Sequence, residues 1–289
     1  MITNFGSINI DHVYQVTNLP KAGETLSAKS YARYLGGKGV NQSVAIAKAG
    51  GTLRHVGAVG ADGDWALAQM ANNGVGDDHV ARLDIATGHA IIYVDDSAEN
   101  QIVILGGANT ALTEQIVDDA LVDAMGWVLF QNETNMIDVI AAKSADAGCK
   151  LAYAAAPFSK EHALPLLDKI DLLAVNETEA NDLADATGRK VEDLGVPILL
   201  VTKGSAGADL WVDGKYFHQT AFKVDAVDTT GAGDTFLGSF LAQYDETNDP
   251  ARALQYATAA SAIQVTRQGA ANAIPDKKDV IKFLEAQVK

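Results

Sequence analysis

The chain has 289 residues, 48% hydrophobic and 20% charged, enough for one large α/β domain with a sizeable core. Its formal charge of −15 excludes the basic footprint that nucleic acid or an anionic membrane requires, so an anionic ligand must be met by local donors and a metal ion. The one cysteine, Cys149, excludes an intramolecular disulfide and a cysteine zinc cluster. No apolar run reaches bilayer length, and the first residues lack the basic region and long apolar core of a signal peptide, so a cytoplasmic location is expected.

From the N-terminus, residues 13–33 are extended and partly polar, with Pro20 and Gly23 inside them. A glycine-rich turn then opens a helix over 40–48 that closes at Gly50-Gly51. Leu53–Val59 reads as a strand, and 62–73 as a helix closed by Gly74. Two strand-like runs, 89–94 and 101–105, surround a polar turn at 95–100. Residues 113–124 read as a helix, with Thr113 as N-cap and Glu114 in the first turn. Trp127–Gln131 is a strand, 136–147 a helix ending at Gly148, and Lys150–Ala154 a strand. A strand at 172–175 leads into a helix over 178–187, and 197–202 is a further apolar strand. Ala208–Val212 and Lys215–Gln219 flank Asp213-Gly214, a hairpin signal. Phe236, Leu237, Phe240, Leu241 and Tyr244 give one buried face to a helix that starts near Ala232. Asp249-Pro250 starts a helix running to about 265, and Lys277–Gln287 reads as the last. The alternation predicts a three-layer α/β/α, Rossmann-like sandwich, with a parallel sheet covered on both faces. The regions that break the rhythm, 12–33 and 89–105, are too short to be domains. They are expected to pair into a small β-sheet lid on a single domain of residues 1–289.

In such a sheet ligands bind at the C-terminal ends of the strands, so glycine-rich turns opening helices there are the candidate sites. The first is Gly36-Gly37-Lys38-Gly39-Val40-Asn41-Gln42, in which three glycines allow close backbone approach and Asn41 and Gln42 fall in the first helical turn. No Ser or Thr follows the lysine as a Walker A loop requires. The second is Asp228-Thr229-Thr230-Gly231-Ala232-Gly233-Asp234. Its small residues open a helix whose unpaired N–H groups and positive dipole end attract anions. An isolated Asp234 reads as a capping carboxylate; beside a phosphate it suits a general base. Asn176 with Glu179 reads either as a capping box or as a phosphate and magnesium site. Thr202-Lys203-Gly204-Ser205-Ala206-Gly207 reads as a plain turn or a nucleotide cradle.

These motifs, with Gly6-Ser7-Ile8-Asn9-Ile10-Asp11-His12, Gly106-Gly107-Ala108-Asn109, Gln131-Asn132-Glu133 and Val265-Thr266-Arg267-Gln268-Gly269-Ala270, resemble the ribokinase (pfkB) family of sugar kinases from Gly6 to about Pro275. The resemblance implies a ribokinase-like fold and ATP-dependent phosphorylation of a small sugar, with ribose the first choice. It implies Asp234 as catalytic base and Gly231, Ala232 and Gly233 as an anion hole, and it assigns Asn9, Asp11, Gly37, Lys38, Asn41, Glu133 and Asp234 to the sugar. It assigns Asn176, Thr202, Gly204, Gly207 and Gly233 to the nucleotide, and Glu179 to Mg²⁺ through water. Asp228, Thr230, Gln264, Arg267, Gly269 and Ala273 match a potassium position built largely of backbone oxygens. A homodimer through the lid is also implied. Two departures stand out: Ala154-Ala155-Ala156-Pro157 where Asn-Pro-Ala-Pro is common, which bears on pocket shape, and Ala273 where a serine is common, which weakens the potassium position.

Three alternatives remain. The first is a related kinase for another small sugar or a nucleoside, and a nucleoside kinase needs more apolar or aromatic contact to a base than Asn9, Asp11, Asn41 and Glu133 offer. A sugar-binding protein without catalysis has no use for Asp234 in an intact glycine turn. A NAD-dependent enzyme calls for an early strand–GxGxxG–helix unit that the sequence lacks.

Overall fold

Runs such as Leu172–Asn176 and Ile198–Thr202 are apolar at successive positions, which suits a strand only where both faces of its sheet are covered. The computed structural model describes residues 1–97 and 99–287; Ala98, within the predicted lid turn, and Val288 and Lys289 lie outside the described residues. In chain order the strands are β1 (Ile2–Phe5), β2 (Asn9–Gln15), β3 (Ser30–Gly36), β4 (Leu53–Val59), β5 (His79–Arg82), β6 (Gly88–Val94), β7 (Asn100–Leu105), β8 (Trp127–Gln131), β9 (Lys150–Ala154), β10 (Leu172–Asn176), β11 (Ile198–Thr202), β12 (Ala208–Val212) and β13 (Lys215–Gln219). The helices are α1 (Lys38–Lys48), α2 (Asp64–Asn72), α3 (Glu114–Leu121), α4 (Ile137–Asp146), α5 (Lys160–Ala163), α6 (Glu177–Thr187), α7 (Ala232–Thr247), α8 (Pro250–Gln264) and α9 (Lys277–Gln287).

Among the described residues, one sheet runs β13-β12-β11-β10-β9-β8-β1-β4-β5. It is parallel from β11 through to β5, while β12 and β13 add an antiparallel hairpin at one edge. That hairpin turns at Asp213 and Gly214, both with positive φ, the backbone a tight two-residue turn demands. Alternation along β10 shows how the two cores divide. Leu172 and Ala174 join the cluster under α7, α8 and α9, whereas Leu173 and Val175 face α3, α4 and α6. Strands β8, β9 and β11 divide in the same way between the two layers, which explains why these segments read as largely apolar runs.

A second sheet, ordered β3-β2-β6-β7, projects from the first. It begins at Asn9, earlier than the 12–33 stretch that breaks the sequence rhythm, so Asn9 and Asp11 both ride on it. The backbones of α1 and α7 approach closely. A Cβ on Gly238 would lie 2.4 Å from the Gln42 carbonyl oxygen, so only glycine lets the two backbones approach this closely. That approach brings the first turns of α1 and α7 together above the C-terminal ends of the strands. No helix among the described residues is long and apolar enough to cross a membrane.

Candidate active site

Asp234 lies in the first turn of α7, whose N-cap is Gly231 in the left-handed region with φ 75°. No side chain caps this helix; the Ala232 N–H donates to the Thr229 carbonyl at 3.2 Å, while the Gly233 and Asp234 N–H groups keep their capacity to receive an anion. The Asp234 carboxylate is 9% exposed. It accepts hydrogen bonds from Asn41 Nδ2 at 3.1 Å and from Gln42 Nε2 at 3.0 Å, both in α1. Burial raises its pKa from 3.8 to about 6; Lys38 and the two amides pull it back, and Glu133 adds to the rise. The group is thus mostly ionised at neutral pH yet far more basic than a surface carboxylate.

Lys38 answers this charge. Its ammonium is held above its ordinary value chiefly by Asp234, with Glu133 and Glu179 adding to the effect against desolvation. Glu133 follows β8 and turns back: its Oε2 accepts from Ser7 Oγ at 2.5 Å and from the Lys38 backbone N–H at 2.9 Å. Asp11, on β2, is pushed to about 6 by burial and by Glu133. It fits because Gly36 has no side chain; a Cβ there would stand 2.0 Å from Asp11 Oδ2. Asn9 is fixed by Asn109, whose Nδ2 donates to Asn9 Oδ1 at 2.7 Å. Gly37, with φ 98°, passes within van der Waals reach of Ser7 and Asn9. Asn41 Oδ1 is buried without a partner among the described residues, an acceptor suited to a ligand hydroxyl. Asn9, Asp11, Gly37, Lys38, Asn41, Glu133 and Asp234 therefore gather around the junction of α1, α7 and the small sheet.

A cavity of about 210 Å³ is lined by Lys38, Gln42, Asn176, Glu179, Thr202 and the turn from Gly231 to Asp234. Ala154 and Ala156 wall it with methyl groups, at the stretch where the sequence departs from the family pattern. A larger cavity of about 680 Å³ adjoins it, lined by Thr202, Gly204, Gly207, Phe222, Ala232 and Gly233 among others. Its size and apolar wall suit a nucleoside moiety, and the shared residues put the chain of phosphates at the N-terminus of α7.

Asn176 and Glu179 do form the capping box. Asn176 Oδ1 accepts from Glu179 N at 2.9 Å, and Glu179 Oε2 accepts from Asn176 N at 2.8 Å. The box leaves Glu179 its other carboxylate oxygen at the cavity. Among the described residues no cluster of three metal-ligating side chains exists, so the site offers no protein cage for a metal. What it offers, one half-buried carboxylate beside an anion-binding turn, fits a magnesium ion that keeps its waters and is held mainly by nucleotide phosphates.

The six positions matched to potassium also cluster, behind the α7 turn, but as arranged they do not fit an ion. Asp228 spends its oxygens on Thr230 N and Gly269 N, both at 2.9 Å. The Thr230 and Gly269 carbonyls accept from Gln264 Nε2, and the Ala273 carbonyl accepts from Arg267 Nη1.

Gln42, which falls with Asn41 in the first turn of the motif, is the second amide on Asp234. Two further contributors have no role that sequence assigns. Ser7 and Asn109 act through Glu133 and Asn9, and only the fold brings residues so far apart in sequence into contact.

The description pfkB family carbohydrate kinase matches residues 1–277. The chain belongs to the pfkB family of carbohydrate kinases. It is therefore a phosphotransferase with a hydroxyl acceptor. It is 34% identical to the ribokinase of Haemophilus influenzae over 98% of each chain. Among solved structures it is similar to a ribokinase from Thermotoga maritima, with a TM-score of 0.88 and 34% identity over 98% of this chain and 99% of that one. The Arabidopsis thaliana ribokinase complexed with ribose and ATP superposes with a TM-score of 0.85 at 33% identity, over 98% of both chains.

Proposed function

We propose that this pfkB-family kinase is a ribokinase that transfers the γ-phosphoryl group of ATP to the 5-hydroxyl of D-ribose, giving D-ribose 5-phosphate. The observation that carries the reading is the buried Asp234 carboxylate, clamped by Asn41 and Gln42 in a turn whose N–H groups face the same cavity. A hydroxyl brought against it loses its proton to the carboxylate as its oxygen attacks the γ-phosphorus in line, and the bond from that phosphorus to the β–γ bridging oxygen breaks, with ADP as the leaving group. The N–H groups of Gly231, Ala232, Gly233 and Asp234 receive the phosphoryl oxygens, and Lys38 offsets charge between the two substrates. Asn9, Asp11, Gly37, Lys38, Asn41 and Glu133 hold the sugar hydroxyls. Asn176, Thr202, Gly204, Gly207 and Gly233 hold ATP, and Glu179 would hold an accompanying Mg²⁺ through water, which would supply charge neutralisation on the phosphates.

Relatives and solved structures named ribokinase support ribose as the acceptor. So does the gathering of two carboxylates and two amides at the junction of α1, α7 and the small sheet, a set matched to a compact polyol. The small sheet serves as lid and dimer contact in this reading. Four consecutive residues of β7, Ile102, Val103, Ile104 and Leu105, are each about half exposed or more, an apolar edge that a second copy would cover. A cytoplasmic location accords with the single buried thiol.

The test is a panel of D-ribose, 2-deoxy-D-ribose, D-fructose and inosine with MgATP, read by ADP release, with the product assigned by phosphorus NMR. Ribose is expected to lead by about tenfold or more in kcat/KM, because polar groups built for a hydroxyl reject an analogue lacking it. A faster fructose, deoxyribose or nucleoside overturns the ribose assignment.

A further inference from the structure

The positions that match a potassium site are the one part of the family pattern that this chain fills with its own side chains. We propose that the Gln264 side-chain amide takes the place of the monovalent cation, so that the turn bearing Asp234 is held in its working shape without potassium.

Gln264 is the last residue of α8 and is 0% exposed. Its Nε2 lies 2.7 Å from the Thr230 carbonyl oxygen and 3.2 Å from that of Gly269. These oxygens come from two separate loops. Thr230 immediately precedes the α7 N-cap, and Gly269 adjoins Ala270, against which Gly231 packs at 3.2 Å from an added Cβ. A cation joins such loops by drawing carbonyl oxygens toward one point. A primary amide carries two N–H donors and can do the same with two oxygens, from a position fixed by a covalent tether.

Several of the other oxygens are committed too. Asp228, the only anion among the matched positions, receives the N–H groups of Thr230 and Gly269. The Gln264 carbonyl accepts from Arg267 N at 2.9 Å, and that of Ala273 from Arg267 Nη1 at 3.3 Å. An entering ion has to displace a fully buried amide. The reversed amide makes the opposite claim. Among the described residues Gln264 Oε1 is buried without a partner, and turning it inward would aim three oxygens at one point, an arrangement that only a cation stabilises. Nε2 inward satisfies both carbonyls with no ion, and the donors already on Asp228 and Ala273 fit that state.

The consequence for catalysis rests on the α7 turn being the phosphoryl site, but the test reads cation binding directly. Thermal unfolding of the full-length protein is compared in KCl and in tetramethylammonium chloride at equal ionic strength, with initial kinase rates measured in the same buffers. The wild type is expected to give the same Tm and the same rate in both salts. Gln264→Ala, which empties the position, is expected to show a lower Tm in tetramethylammonium that climbs with KCl concentration, as a ligand bound only by the folded state requires. A potassium-specific Tm rise in the wild type overturns the proposal, whether or not the variant folds. A folded Gln264→Ala protein that ignores potassium overturns it as well. Failure of the wild type to phosphorylate any sugar falls on the proposed function and leaves the Tm comparison standing.

Discussion

Replacing Asp234 with Asn separates the cost of a buried charge from its chemical use. In the folded protein this carboxyl has its pKa raised from 3.8 to about 6, chiefly by burial. At about 1.4 kcal/mol per pKa unit, ionising it in place costs about 3 kcal/mol relative to the unfolded chain, net of Lys38 and the two amides. Asn has the same shape and no charge. It keeps one acceptor for Asn41 or Gln42 and turns a donor toward the other, a loss of about 1–2 kcal/mol. The variant is therefore expected to be more stable than the wild type by about 1–2 kcal/mol at neutral pH, while kcat falls at least about a hundredfold. The sign follows from the direction of the shift. A raised pKa in the folded state gives a contribution that is fully present below 3.8 and lost as pH rises through about 6. The wild type alone loses stability across that window, so the advantage of the variant grows from about pH 4 to pH 6 and is level above. Asp11 titrates near the same point in both proteins and cancels in the difference. Urea unfolding followed by tryptophan fluorescence, at several pH values, measures the difference, and steady-state turnover measures the chemistry. A variant less stable than the wild type above neutrality, or a difference indifferent to pH, refutes the account of a desolvated carboxylate. Near-normal turnover refutes its role as base.

The acid limb of kcat/KM is expected near pH 6 in the wild type, where Asp234 takes up its proton. Gln42→Met removes the donor at 3.0 Å from Asp234 Oδ1 and is expected to move that limb up by about one pH unit, the worth of a hydrogen bond to a charged group; an unmoved limb would show that Gln42 does not tune the base. Gly36→Ala drives a Cβ to 2.0 Å from Asp11 Oδ2. Its KM for sugar is expected to rise about tenfold or more with KM for ATP unchanged, since only the sugar meets Asp11; equal changes in both constants would assign Gly36 to the fold instead.

What could be read from the residues depended on whether the signal was local. Strands β8, β10 and β11 announced themselves by apolar runs, α7 by its spaced aromatic and leucine residues, and the β12–β13 turn by Asp213-Gly214. β5 passed unnoticed because His79–Arg82 has four residues, none of them fully buried, at the sheet edge. The helix α1 starts at Lys38, earlier than its apolar residues suggest, because Gly37 at φ 98° serves as N-cap and the first turn is spent on the site. Asn176 and Glu179 illustrate the opposite limit. One pair of residues satisfies a capping box and faces a cavity, and the sequence pattern has no way to separate the two roles. Gln42 depends on Gly238, almost two hundred residues away, and no spacing rule along the chain links them.

The charge of the chain poses a last physical question, since a protein at −15 must receive a nucleotide polyanion. Beyond about 8 Å at physiological ionic strength, exposed charges are largely screened, so the overall excess of carboxylates acts weakly at the cavity. Contact groups decide the outcome instead. Lys203, the cation nearest in sequence to the cradle glycines, is held by the buried Asp209 at 2.5 Å and is thereby spent. Lys38 stands among Asp234, Glu133 and Glu179 and compensates them before any ligand arrives. Lys223 lines the larger cavity, and the positive end of α7 adds N–H dipoles that need no counter-ion and lose no side-chain freedom on binding. A catalytic carboxylate can share such a turn with a phosphate only if something other than net charge separates them. Here Asn41, Gln42 and Lys38 hold the carboxylate on one side, and the uncapped amides face the other.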